Sequence, residues 1–234
     1  MKKAASLILA VALGWAAGTY LPLPFAAKAH SPAASAAPAA PALALNGPAR
    51  PFAGVPDVRQ STGYTCGAAA LQAVLAYWGT SEREDRLAAR LHSTPEAGTH
   101  PLDILRVARE FGLTVDLREG LGLADLERGL ADGDSVIVDL QAWRERSDVP
   151  WSETWDDGHY MVLLGLDAVN LYFEDPSLLG ARGVIPRAEF VERWHDYEGS
   201  EPLDPSDRRY VHMAIFIRGA KPAPAAQAVF EPVR

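Results

Sequence analysis

The chain has one cysteine, Cys66, among 234 residues, so it has no internal disulfide. It also lacks any run of lysine or arginine. Against 22 basic residues stand 30 acidic ones, a formal net charge of −8, and that balance excludes the electrostatic footprint of a nucleic-acid or anionic-membrane partner. There is no P-loop, no His-x-x-x-His helix and no dinucleotide fingerprint, so neither a cofactor nor a metal is expected. No internal repeat is found. An uninterrupted apolar stretch of the ~20 residues that span a membrane is missing too. The longest apolar run begins at Ala4 and is broken by Gly18, Pro22 and Pro24.

What is present at the amino end has an order. Lys2 and Lys3 precede an apolar run from Ala4 to Ala17, and Ala27-Lys28-Ala29 offers the small-x-small pattern of a cleavage site. Residues 1–29 are expected to be a signal peptide, with an uncleaved anchor as the alternative. The destination implied is periplasmic or extracellular, membrane-tethered where the signal is kept. Residues 30–50 are almost entirely Ala, Pro and Ser, too poor in bulky apolar surface to offset the entropy of ordering, and read as a flexible tether. Residues 219–234 repeat that bias and read as a loose tail. Between them, residues 51–218 have the composition and length of one globular domain. Without Lys2, Lys3 and Lys28 the balance is 19 basic to 30 acidic residues, near −11. That charge suits a cationic peptide partner and equally a solvated acidic surface.

Exported proteins usually pair their cysteines or have none, so a lone Cys66 is buried and inert, kept for intermolecular use, or kept for reactivity. Its surroundings bear on the choice. Residues 60–65 (Gln-Ser-Thr-Gly-Tyr-Thr) are polar and turn-prone. From Cys66 the chain turns helical, with Leu71, Val74, Leu75 and Trp78 spaced as one buried face and Gly79 as the stop. Thr62 or Thr65 offers a cap. A thiol in the first turn of a helix feels the partial positive charge of unpaired amides, which favours thiolate. The Cys66 amide supplies one oxyanion donor, and Gln60, on the incoming loop, is the candidate for a second. Gly67, with Ala68, leaves room for a substrate backbone.

Of the six histidines, His159 is placed best. It opens an apolar strand after Gly158, which permits close approach. After Gly165 and a polar turn, a second strand runs Leu-Tyr-Phe-Glu to Asp175-Pro176. So short a link makes an antiparallel hairpin, which returns Asp175 towards His159, and Pro176 keeps Asp175 extended. A carboxylate beside an imidazole fixes its tautomer and stabilises its charged form. Each feature alone has an ordinary structural explanation. Together, Cys66, Gln60, His159 and Asp175 make up the set that thiol acyl transfer needs. The aromatic, acidic segment 143–157, with Trp151 and Trp155, stands directly before His159. It is either a roof or substrate contact through Trp155, or a packed surface loop.

Three stretches, in this order, resemble the bacteriocin-processing (double-glycine leader) cysteine peptidases of the papain-like clan: Gln60–Gly67, Gly158-His-Tyr-Met-Val162 and Glu174-Asp-Pro176. Gly183-Val-Ile and Glu189–Asp196 resemble the stand-alone exported branch. The resemblance implies a papain-like α+β fold, N-terminal helices packed on a C-terminal antiparallel sheet. It implies Cys66 as nucleophile, His159 as base, Asp175 as orienter and Gln60 as oxyanion donor, acting on a peptide or protein substrate. The layout read independently agrees, with helices at 66–78, 82–91, 102–111 and 123–131, then strands at 135–140, 159–165, 171–174 and 211–217. The leader-cleaving members are commonly fused to an export ATPase, for which these 234 residues have no room. Two rival readings use the same residues: a cell-wall amidase or acyltransferase with Cys-His chemistry, and a peptide-binding module without turnover.

Overall fold

The computed structural model describes residues 54–222, apart from 145 and 200–202. The expected signal, tether and all but the first residues of the tail lie outside the described residues.

Helix α1 (Cys66–Tyr77) is the centre of the helical layer. Its alanines let other elements approach closely, and every residue from Cys66 to Leu71 is buried, as are Ala73, Val74 and Leu75. It packs on α2 (Glu84–Arg90), α3 (Pro101–Glu110) and the sheet. Its end is a Schellman motif. Gly79 takes φ +86°, its amide donates to Ala76 O at 3.0 Å, and the Thr80 amide donates to Leu75 O at 2.8 Å. Proline opens α3 at a position where its missing N–H costs nothing. Helix α4 (Leu123–Ala131) completes the expected set, its start closed by the Gly122 amide donating to Asp125 at 2.9 Å.

The strands are β1 (Thr114–Arg118), β2 (Ser135–Gln141), β3 (Gly158–Leu166), β4 (Asn170–Glu174), β5 (Gly183–Pro186), β6 (His195–Glu198), β7 (Arg208–Val211) and β8 (Ala214–Arg218). Six form one antiparallel sheet in the order β1-β8-β2-β3-β4-β5, and β6 pairs with β7 in a separate ribbon. A fifth helix, α5 (Arg187–Arg193), joins β5 to β6. Strand β2 is buried along its whole length, and so are Val162, Leu163 and Phe173 of the β3–β4 hairpin. Leu71, Leu75, Leu126, Ile137, Phe173, Phe190 and Trp194 form the middle of the core. Each such side chain is worth roughly 1.5–3 kcal/mol of transfer free energy. No described helix is long and apolar enough to cross a membrane.

The fold is the expected α+β arrangement with two corrections. The single strand expected at 211–217 is two strands in different sheets, because His212 takes φ +53° and its ring stacks 4.9 Å from Trp194. Strands β1, β5 and β6 and helix α5 lie outside the expected elements: β1 does alternate, over five residues only, and β5, β6 and α5 are too short to show a period.

Candidate active site

Cys66 is the first residue of α1. Thr65 occupies the cap position, but its side chain makes no capping bond. Its hydroxyl turns back to Thr62, 2.9 Å from Thr62 Oγ1, so neither threonine caps the helix. With no acidic residue in the first turn either, the helix start keeps its positive potential for the sulfur. Burial pushes the Cys66 thiol up. A hydrogen bond and charge from His159, with the amides of Tyr160 and Gly67, outweigh it and hold the thiol below its ordinary value.

His159 is buried at 1 % exposure. Its Nε2 lies 2.8 Å from Asp175 Oδ1, which leaves Nδ1 as the ring nitrogen for Cys66. Burial alone would lower the imidazole. Its bonds to Asp175 and Cys66, with their negative charges, raise it to about 9. Asp175 also accepts from the Ser177 amide at 2.8 Å and the Ser177 hydroxyl at 2.7 Å. Burial works against its charge, but His159 and Ser177 hold the carboxyl below its usual range. The hairpin that brings the two together pairs Val162 with Glu174, with a bulge between Leu163 and Gly165. The Trp143 ring lies 5.0 Å from that of His159, and the residue remains 49 % exposed.

The incoming loop is held beside Asp175 by three bonds. Val58 N donates to Glu174 Oε1 at 2.7 Å, Gln60 N to Pro176 O at 2.9 Å, and Arg182 Nη2 to Val55 O at 2.6 Å. Glu174 is fully buried and paired with Arg182. Gln60 is therefore held through its backbone next to Asp175. Its Nε2 donates one hydrogen to Thr62 O at 2.7 Å and keeps a second N–H.

Two glycines have close neighbours within the chain. A Cβ on Gly67 would stand 2.7 Å from Thr99 Cβ, so the glycine there makes room for Thr99. A Cβ on Gly158 would fall 2.0 Å from Asp196 Oδ2, so the close neighbour is that carboxyl. Gly158 does line the cleft beside Cys66, and so does Trp155. The Trp155 ring rests 4.2 Å from His195, whose Nε2 donates to Thr154 O at 2.7 Å. His195 thus pins the 151–157 segment and is not a second base.

Asp139, Tyr160, Gln141 and Asp196 gather beside Cys66 without having been anticipated. Pairing of β2 with β3 sets Asp139 opposite Tyr160 and Leu140 opposite His159. Burial, reinforced by the charges of Asp196 and Cys66, raises the Asp139 carboxyl well above its ordinary value. Burial and the same carboxylates raise the Tyr160 hydroxyl. Asp196 is pushed up to about 6 by burial, against bonds from the Tyr197 amide and the Asp139 and Gln141 side chains. Gln141 Nε2 donates to Asp196 Oδ1 at 3.0 Å, and its Oε1 accepts from Asp157 N at 3.0 Å. The signal was available: a carboxylate between Val138 and Leu140 in the run Val-Ile-Val-Asp-Leu is expected to be buried with a partner.

A model of the Peptidase_C39 like family matches residues 52–201, which takes in Gln60, Cys66, Asp139, His159, Asp175 and Asp196. The chain belongs to this C39-like peptidase family. An uncharacterized protein of Methanothermobacter marburgensis is 32% identical over 121 residues, 52% of this chain and 71% of the relative. The fold is shared with the peptidase domain of Streptococcus ComA, a bi-functional ABC transporter of a quorum-sensing pathway. That domain is 19% identical with a TM-score of 0.50, over 69% of this chain and 96% of the domain. It is also shared with a putative C39-like peptidase from Bacillus anthracis, 16% identical with a TM-score of 0.51, over 71% and 96%. The C39-like fold is thus papain-like, helices on an antiparallel sheet.

Proposed function

We propose that the chain is an exported cysteine peptidase in which Cys66 is the nucleophile, His159 its base and acid, and Asp175 the residue that orients His159. The observation that carries this reading is the buried Cys66–His159 pair at an uncapped helix start. The imidazole is raised to about 9 while the thiol is lowered, so the shared proton is drawn towards the ring and the sulfur towards thiolate.

The chemistry follows from the positions. The Cys66 sulfur adds to a peptide carbonyl, and the oxyanion is met by the Cys66 amide and the second N–H of Gln60 Nε2. His159 gives its proton to the departing amine as the C–N bond breaks. It then takes one from the water that attacks the thioester, which frees the acid and regenerates the thiolate. Asp175, tied to Ser177, keeps the ring in the tautomer that both steps use. Export is supported by the order of charge, apolar run and small residues over residues 1–29 and by the lone cysteine. The intact mass of the secreted protein is expected to begin at His30.

The test is cleavage of a peptide library by the native protein and by Cys66→Ala and His159→Ala. Defined products from the native protein alone are expected. Turnover surviving in Cys66→Ala would reject the nucleophile. Release of peptidoglycan fragments without peptide cleavage would make the chain an amidase, and tight peptide binding without product would make it a binding module.

A further inference from the structure

The cleft that opens beside Cys66 has a volume of about 660 Å³. Its walls carry six carboxyl groups, those of Glu96, Asp139, Asp156, Asp157, Asp196 and Glu198. Among the described residues that line it, His100 is the one basic side chain, and its Nε2 is held 2.5 Å from Glu198. An acidic wall alone would be an ordinary solvated surface. Asp139 makes this one different.

Asp139 is 3 % exposed, in a strand buried from end to end, and lines the cleft. Its Oδ1 receives no hydrogen bond from a protein donor. The neighbouring carboxyl, Asp196, is close enough to share a proton with it. Two carboxyls in such a place repel unless a proton or a cation lies between them. An apolar residue or an asparagine would serve stability better at 139, so the acceptor is kept at a cost. What it lacks is a donor from outside the chain.

We propose that this cleft is a subsite for a lysine or arginine side chain of the peptide substrate, bound through Asp139 and Asp196 at a position flanking the scissile bond. The inference rests on the peptidase reading above. An ammonium or guanidinium takes the place of the shared proton and satisfies Asp139 Oδ1. Trp155 and Tyr197, 6.3 Å apart on the same wall, offer ring surface to the stem, with the Arg209 guanidinium 5.6 Å from the Trp155 ring. The fully apolar alternative, a leucine or phenylalanine subsite, is excluded by the two acids at its base.

The test uses three thiol reagents of one size: 2-aminoethyl, 2-hydroxyethyl and 2-sulfonatoethyl methanethiosulfonate. The Cys66 thiolate attacks the sulfenyl sulfur of each, a disulfide forms, and methanesulfinate leaves. Rates are normalised to those with free 2-mercaptoethanol. The cationic reagent is expected to exceed the neutral one by about tenfold and the anionic one to fall below it. Asp139→Asn and Asp196→Asn should each remove most of that preference. Asp132→Asn, which deletes the same charge from the exposed end of α4, should leave it intact.

Equal rates with the cationic and neutral reagents on a thiol that reacts with both would overturn the subsite and leave the peptidase reading standing. A preference unchanged in both Asp139→Asn and Asp196→Asn would overturn it as well. Should one variant fail to fold, the other carries the comparison. A folded protein inert to all three reagents overturns the peptidase reading, and the subsite with it.

Discussion

His159 Nε2 stands 2.8 Å from Asp175 Oδ1, and that same oxygen accepts the amide and hydroxyl of Ser177. The carboxylate is thereby kept ionised below its usual range, and its hydrogen bond is the first of the forces that lift the buried imidazole to about 9. Trp143, 5.0 Å from the imidazole, is placed to report its charge, since a protonated histidine quenches indole emission. The difference in fluorescence between native protein and Trp143→Phe should rise with pH around a midpoint of about 9. In Asp175→Asn that contribution is gone and only Cys66 still opposes burial, so the midpoint should fall clearly below about 9. A midpoint that stayed in place would remove Asp175 from its role.

Gln60 is held beside Asp175 through its amide to Pro176 and offers one free N–H on its side chain. Gln60→Ala should lower turnover by about 10²–10³, the usual effect of removing one oxyanion donor. Alkylation of Cys66 builds no oxyanion, so its rate and pH profile should be unchanged. A parallel loss in both measurements would show that Gln60 shapes the loop and does not stabilise an oxyanion.

Asp196 carries a stability cost with a definite sign. Burial raises its carboxyl from 3.8 to about 6. Between those values the folded chain holds a proton that the unfolded chain has released, so stability falls as pH rises through that window and stays reduced above it. Asp196→Asn keeps an oxygen for Gln141 and gains a donor for Asp139. It should be more stable than the native protein by about 1 kcal/mol at pH 8, and no different at pH 4. Denaturant midpoints at the two pH values measure this. A gain in stability together with a weaker response to cationic reagents is the pattern of a residue kept for binding.

The parts legible in the sequence are those whose signals are local. The change from turn-prone residues 60–65 to the helical run that starts at Cys66 marks a helix start. The link from Leu166 to Asn170 marks a hairpin, and Asp175-Pro176 marks its end. Those signals brought Cys66, His159, Asp175 and Gln60 to one place. Asp139 and Asp196 come from β2 and β6, whose meeting depends on the Gln141 and Arg193 bonds at the end of β2: Arg193 Nε donates to Gln141 O at 2.8 Å and Arg193 Nη2 to Ala142 O at 2.6 Å. Nothing in the spacing of residues 139 and 196 expresses that. Gly67 and Gly158 were legible as close approaches, but the neighbours, Thr99 and Asp196, were not. The break at His212 is set by its stacking on Trp194, a tertiary contact with no turn residue to announce it.

The central claim is that Cys66 and His159 exchange a proton to form a thiolate–imidazolium pair. Its most direct measurement is the rate of Cys66 alkylation by iodoacetamide from pH 4 to 10, in native protein and in His159→Ala. The native thiol should react well below the ~8.5 of a free cysteine, with a plateau that changes near pH 9 as His159 loses its proton. His159→Ala should lose the reactivity at low pH and titrate above the native thiol, because burial is then opposed only by the amides of Tyr160 and Gly67. Identical profiles in the two proteins, or a thiol that reacts only on unfolding, would contradict the pair and make Cys66 a structural residue.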